Sequence, residues 1–349
     1  MTNVSIPWLL KKGEAEWPMA LVPHEARELM TAAGRLAPPF ASGLFAECHL
    51  AHPTRTDLVL RMHPADADLV LAADPASSPL TRVLRRWRTP GDRIGFLPAI
   101  DLECDLPGRV VGFFILPLFE PELMRGMAAI TRRDAVRRSI GARSLAEDHG
   151  PDVLRAVQED LSASILERVD LCRRMLPAWA NLMPGWSCQT RPEGREVGVR
   201  AVATVPRHRL RSYLESVGWC GDLPMLDDLA TAFLADKPHV SIDMTIGEDG
   251  PVDRVGLYWE TVAAHPDDAS LSRLCRRVEG RSWAREDRWS GFLAWLERRR
   301  SDDEGAEARS LTLKLVVDGN TAPSLKAYVS NFDELAVFPL QTSQENAVS

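Results

Sequence analysis

Ser241-Ile242-Asp243-Met244-Thr245-Ile246, then Gly247-Glu248-Asp249-Gly250, then Val252-Asp253-Arg254-Val255-Gly256-Leu257-Tyr258-Trp259-Glu260 is the stretch from which the architecture reads outward. Two segments of alternating apolar and polar residues flank a Gly/Asp turn, the signature of a β-hairpin. The apolar set is 242, 244 and 246 on the first arm and 255, 257 and 259 on the second. A later pair repeats the rule, with 311, 313 and 315 facing 325, 327 and 329 across Asp318-Gly319-Asn320. Each strand therefore has one apolar and one polar face. The polar face carries Asp243, Arg254, Tyr258, Glu260, Lys314, Lys326 and Tyr328.

Three earlier pairs share this form: 45–50 with 57–62, 94–104 with 110–117, and 186–190 with 196–204. Apolar spacing of three and four predicts helices over 24–36, 79–88, 121–139, 151–176, 207–217, 224–235, 268–277 and 285–299. Hairpins place antiparallel neighbours side by side, so a doubly wound parallel sheet is excluded. Ten such strands either leave edges or close on themselves, and closure with helices outside removes the edges. The expected class is α/β: a ten-stranded antiparallel barrel of five ααββ units with helices outside, one domain over 1–340, and a disordered tail at 341–349. On periodicity alone, a polar face turned to solvent stays open.

The chain has 349 residues, 26% charged, with net charge −7. Such composition excludes disordered, collagen-like and disulfide-scaffold classes. The acidic balance argues against a nucleic-acid partner, and no apolar run predicts a membrane helix. Six dispersed cysteines without a CxxC fit reduced thiols, and the N-terminus does not read as a signal peptide, so a cytoplasmic protein is expected. His49 and His52 form a lone HxxH without the glutamate of a zinc helix. Asp227-Asp228-Leu229-Ala230-Thr231 lacks the third acid of a magnesium-binding DDxxD and reads as helix N-terminal acids. Five of the basic residues are lysines, and the chain has only 3 tyrosines. Two of each fall on the last two hairpins, at polar parity.

The ordered set of hairpins, with Val252-Asp253-Arg254-Val255-Gly256-Leu257-Tyr258, Thr312-Leu313-Lys314 and Leu325-Lys326-Ala327-Tyr328, resembles the ABBA (PT-barrel) aromatic prenyltransferases. Ala99-Ile100-Asp101-Leu102-Glu103 with Arg109–Pro117 is similar to the family's second hairpin. Phe45-Ala46-Glu47-Cys48 with Asp57-Leu58-Val59-Leu60-Arg61 is similar to its first. The sequence departs from the family at Gly256, where indole-type members carry lysine, and at Val59, where a phenol-type member carries aspartate. The second hairpin has no Lys-x-Tyr.

The resemblance implies transfer of a dimethylallyl, geranyl or farnesyl group from its diphosphate to an electron-rich ring. The acceptor would be an indole, a phenol or a peptide side chain. Fixed positive charge stabilises the leaving diphosphate, and the candidates are Arg61, Arg200, Arg254, Lys314 and Lys326. Aromatic faces shield the allyl cation, a role for Tyr258 and Tyr328, with Trp259 or Phe113 as additions. A carboxylate takes the arenium proton: Glu47 first, Asp57 and Glu103 in reserve. No cofactor or metal is required, although magnesium could help diphosphate bind. A monomer is expected. Two other readings stay open: a barrel that has lost prenyl transfer and binds or modifies a peptide or metabolite, and an interaction protein built on Trp-rich helices.

Overall fold

The structure, a computed structural model, describes residues 4–36, 40–41, 43–62, 81–82, 85, 99–105, 109–116, 161–177, 180, 182–191, 194–263, 268–301, 309–319 and 321–330. The helix expected at 79–88 lies almost wholly outside these residues, and 121–139, 151–160 and the tail lie wholly outside them. The strands are β1 (Val4–Ser5), β2 (Phe40–Ala41), β3 (Gly43–His49), β4 (Thr56–Met62), β5 (Ala99–Asp105), β6 (Arg109–Leu116), β7 (Leu182–Arg191), β8 (Gly194–Pro206), β9 (His239–Gly247), β10 (Gly250–Ala263), β11 (Arg309–Asp318) and β12 (Ser324–Ser330). The described helices are α1 (Ile6–Glu16), α2 (His24–Leu36), α3 (Ala163–Arg174), α4 (Leu210–Ser216), α5 (Leu223–Phe233), α6 (Asp268–Val278) and α7 (Glu286–Ser301).

β3 to β12 pair antiparallel into one closed ring, in the order β10-β11-β12-β3-β4-β5-β6-β7-β8-β9, with seven α-helices among the described residues. The expected class is corrected in its repeating unit. The ten-stranded antiparallel ring is present, but among the described residues the five ααββ units with helices outside are not complete. Between β6 and β7 only one helix, α3, lies among the described residues. β1 and β2 pair with each other in a separate two-stranded sheet beside α1 and α2. Two residues are too short for alternation to show, and α1 was not expected either. β5, β6 and β7 carry backbone pairing from β4 round to β8, so the strand order returns on itself. On that path β6 meets β7 over three residue pairs, against ten between β7 and β8.

The apolar parity of the sheet is its buried side. Ile242, Met244, Ile246, Val255, Leu257, Trp259, Leu313, Leu315, Leu325 and Ala327 are each at most 1% exposed. They join one core with Ile165 and Val169 of α3, Leu226 and Phe233 of α5, Leu274 of α6, and Phe292 and Trp295 of α7. The helices present this stripe because their apolar residues recur at three and four. α5 begins at a cap: the Asp222 carboxylate accepts from Met225 N at 2.8 Å. Asp227 and Asp228 therefore lie beyond the first turn, correcting their reading as N-terminal acids. α4 closes at Gly218, whose φ of +79° only glycine adopts without strain. No helix among the described residues is long and apolar enough to cross a membrane.

Candidate active site

Opposite the helical core, the polar parity places a charged cluster that is also buried. Glu47, His49, Arg200, Asp243, Thr245, Lys314 and Lys326 are all at most 8% exposed. Tyr258 and Tyr328 are half-buried beside them. The reading in which these residues point to solvent is thus set aside for the described residues.

Strand register assembles the cluster. Tyr328 lies opposite Glu47, Glu47 opposite Asp57, and Lys326 opposite both His49 and Lys314. Lys314 in turn faces Tyr258, and Gly256 faces Asp243. Two buried carboxylates collect the cations. Asp243 takes a bidentate pair from Arg200, Nε to Oδ1 at 2.9 Å and Nη2 to Oδ2 at 2.5 Å. Lys314 Nζ and, at 3.3 Å, the Tyr258 hydroxyl donate to the same Oδ2. Glu47 Oε1 accepts from Lys326 Nζ, two residues brought together across 279 positions of sequence.

The lysine at 314 reaches Asp243 by crossing β10 over Gly256. A Cβ at 256 would collide with the Lys314 Cε. The missing side chain at Gly256 admits an ammonium from the neighbouring strand.

The electrostatics follow from burial and pairing together. Burial alone would raise the Glu47 carboxyl, but Lys326, Lys314, His49 and Arg200 more than offset it and hold Glu47 well below the carboxylate range. Asp243 is likewise driven up by burial and then pulled far down by Arg200 and Lys314. Burial, aided by Arg200 and Lys326 and opposed by Asp243, brings Lys314 down to about 8. Burial and then Lys326 bring His49 down to about 4, against the pull of Asp57. The neutral His49 ring donates from Nε2 to Asp57 Oδ2 at 2.6 Å. Burial pushes Asp57 up, but that bond together with the charges of His49 and Lys326 keeps it below its usual range.

Each residue singled out from sequence now has a place. Glu47 is central; Asp57 is half-buried, engaged by His49 and, at 3.5 Å, by Arg55. Arg200, Lys314 and Lys326 converge on the two carboxylates. Arg254 is half-buried at polar parity and makes no hydrogen bond or ion pair among the described residues. The tyrosine rings of 258 and 328 face each other, centroids 6.4 Å apart, and Lys314 Nζ lies 5.2 Å from the Tyr258 ring. Arg61 and Glu103 sit on β4 and β5, opposite Asp101 and Val59, but their side chains lie outside the described residues, as does that of Phe113. Trp259 is corrected as a shield. It belongs to the core face, where Lys237 Nζ stands 4.8 Å from its ring.

Sequence reasoning passed over Asp243 and His49 as site residues. Asp243 showed only its polar parity, because its partners lie 43 and 71 residues away. His49 read as half of an HxxH, yet His52 is exposed and accepts from the Thr54 and Arg55 amides in the turn. Potential ligand atoms of Glu47, His49 and Asp57 lie within 4.8 Å of one another, a spacing that a cation could bridge. Lys326 on Glu47 and the His49–Asp57 bond engage those atoms, and the adjacent ammonium groups oppose a further cation. The described cysteines are all free, with Cys48 buried and its thiol pushed up to about 12 by burial. No protein-family model matches the chain, and no curated protein sequence matches it.

Proposed function

We propose that the buried polar face is the active site of an aromatic prenyltransferase. It would move a dimethylallyl, geranyl or farnesyl group from its diphosphate to an electron-rich ring of a small molecule or peptide. The observation that carries this reading is one cluster holding three kinds of group at once. It contains buried cations, two facing tyrosine rings, and the Glu47 carboxylate opposite Tyr328.

In this reaction the allylic C–O bond breaks and its electron pair leaves with the diphosphate. Arg200, Lys314, Lys326 and Arg254 stabilise that charge, with Arg61 a further candidate on β4. Tyr258 and Tyr328 cover the allyl cation with their faces. A π pair of the acceptor forms the new C–C or C–heteroatom bond, and the resulting cation loses its proton to Glu47. A carboxylate held low by its neighbours remains far more basic than an arenium ion. Glu103 and Asp57 are the reserve bases, and Asp57 keeps His49 oriented beside Glu47. The chemistry needs no redox cofactor, and magnesium would only assist diphosphate binding.

The test incubates the purified protein with the three allylic diphosphates and indolic, phenolic and peptide acceptors, followed by mass spectrometry. Product is expected, with Glu47→Gln lowering kcat by about 100-fold or more. Absence of both product and allylic diphosphate binding overturns the proposal. A second reading, a protein that binds or otherwise modifies a peptide or metabolite, is favoured by one observation: Arg200, Lys314 and Lys326 already have carboxylate partners. Acceptor binding without any diphosphate binding selects it.

A further inference from the structure

Three donors from three strands meet on a single oxygen of Asp243. Arg200 comes from β8, Tyr258 from β10 and Lys314 from β11 across Gly256. The two cations share the Asp243 carboxylate, while Lys326 pairs with Glu47. Arg254, two residues before Gly256 on the same face, adds a further guanidinium without a partner among the described residues. A planar bidentate guanidinium with an ammonium and a hydroxyl is the donor set that binds phosphate oxygens. We infer that Asp243 occupies, as an internal counter-ion, the seat that a phosphate group of the ligand takes, and so sets how tightly that ligand binds. The identity of the ligand as a diphosphate rests on the prenyl-transfer reading; the seat itself rests on the donor geometry.

Asp243 thus acts as a positioning and affinity-setting residue. It holds Arg200 and Lys314 in place while the site is unliganded, and a dianionic phosphate must outbid it. Burial already brings Lys314 down to about 8, so an ammonium at this position needs an anion beside it. Without the carboxylate, a soluble anion becomes that partner.

The experiment titrates inorganic pyrophosphate into the wild type, Asp243→Asn and Asp243→Glu by calorimetry. Thermal midpoints are measured alongside, with and without pyrophosphate, at ionic strength matched by sodium chloride. Asp243→Asn is expected to bind pyrophosphate at least 10-fold more tightly than the wild type. Asp243→Glu, which keeps a competing carboxylate, should stay near the wild type. The Asn variant should lose stability in sodium chloride and recover it with pyrophosphate, so even a variant that unfolds alone reports on the seat. Equal or weaker binding by a folded Asp243→Asn overturns the inference, as does an unfolded variant that pyrophosphate does not restore. Prenyl transfer is judged separately, by product formation in the wild type. A wild type that forms product beside an Asn variant without tighter binding sinks only the counter-ion role. Tight binding by the Asn variant beside an inactive wild type sinks only the transfer reaction.

Discussion

His49 shows how one side chain on the polar face couples to the stability of the whole. Burial and Lys326 hold it down to about 4 in the folded protein, against 6.5 when free. Between those values the unfolded chain binds the proton and the folded one does not, so stability rises with pH across that window and is lost as pH falls through it. The effect has an upper limit of about 3 kcal/mol. Denaturant titrations at pH 4.5 and 7 should show a smaller pH difference for His49→Asn than for the wild type. Equal differences would assign the acid sensitivity to Glu47 and Asp243, whose depressed values act with the same sign at lower pH. Lys314 works in an alkaline window. Its value of about 8 lies below the ordinary 10.5, so stability should climb as pH rises from 8 to 10.5, and Lys314→Met should flatten that climb.

Glycines decide where elements can cross or touch. Gly256 lets Lys314 pass over β10 to Asp243. Gly256→Ala should expel that lysine, costing about 1–3 kcal/mol, and should weaken binding of any anion at the site; urea melts and pyrophosphate calorimetry read the two effects. Gly291 on α7 lies against backbone: a Cβ there would stand 2.8 Å from Leu21 N and 3.0 Å from the Ala20 carbonyl carbon. Backbone cannot rotate away as the end of a lysine can. Gly291→Ala should therefore lower the thermal midpoint more than Gly221→Ala, whose added methyl first meets the Trp219 ring. An equal loss in both variants would show that the α7 contact yields freely. At this scale the sequence was informative. The helices expected at 24–36 and 268–277 lie within a residue of His24–Leu36 and Asp268–Val278, because their apolar stripes are long and their ends are marked. It was silent on α1 and β1–β2, whose pairing depends on Val4 meeting Ala41 across two helices.

For the molecule as a whole, pairing length around the sheet is uneven. β10 and β11 share ten residue pairs, β6 and β7 three. Amide groups open most readily where few hydrogen-bonded neighbours support them. Hydrogen exchange followed by mass spectrometry should find peptides spanning 112–114 and 185–187 exchanging earlier than those spanning 242–246. The reverse order would mean that elements beyond backbone pairing hold that seam.

The alternation of residues 241–246, 252–260, 311–317 and 324–330 determined by itself which side chains share a face. A strand repeats every two residues, and that repeat is written in the order of the amino acids. It therefore placed Lys314, Lys326, Tyr258 and Tyr328 together with no knowledge of contacts. Which carboxylate meets which cation was decided only by the tertiary structure. Glu47 finds Lys326 because β3 lies beside β12, and Asp243 draws Arg200 from one side and Lys314 from two strands away on the other. Register, the missing Cβ at 256 and the exclusion of water set those pairings, and all three arise between segments distant in the chain.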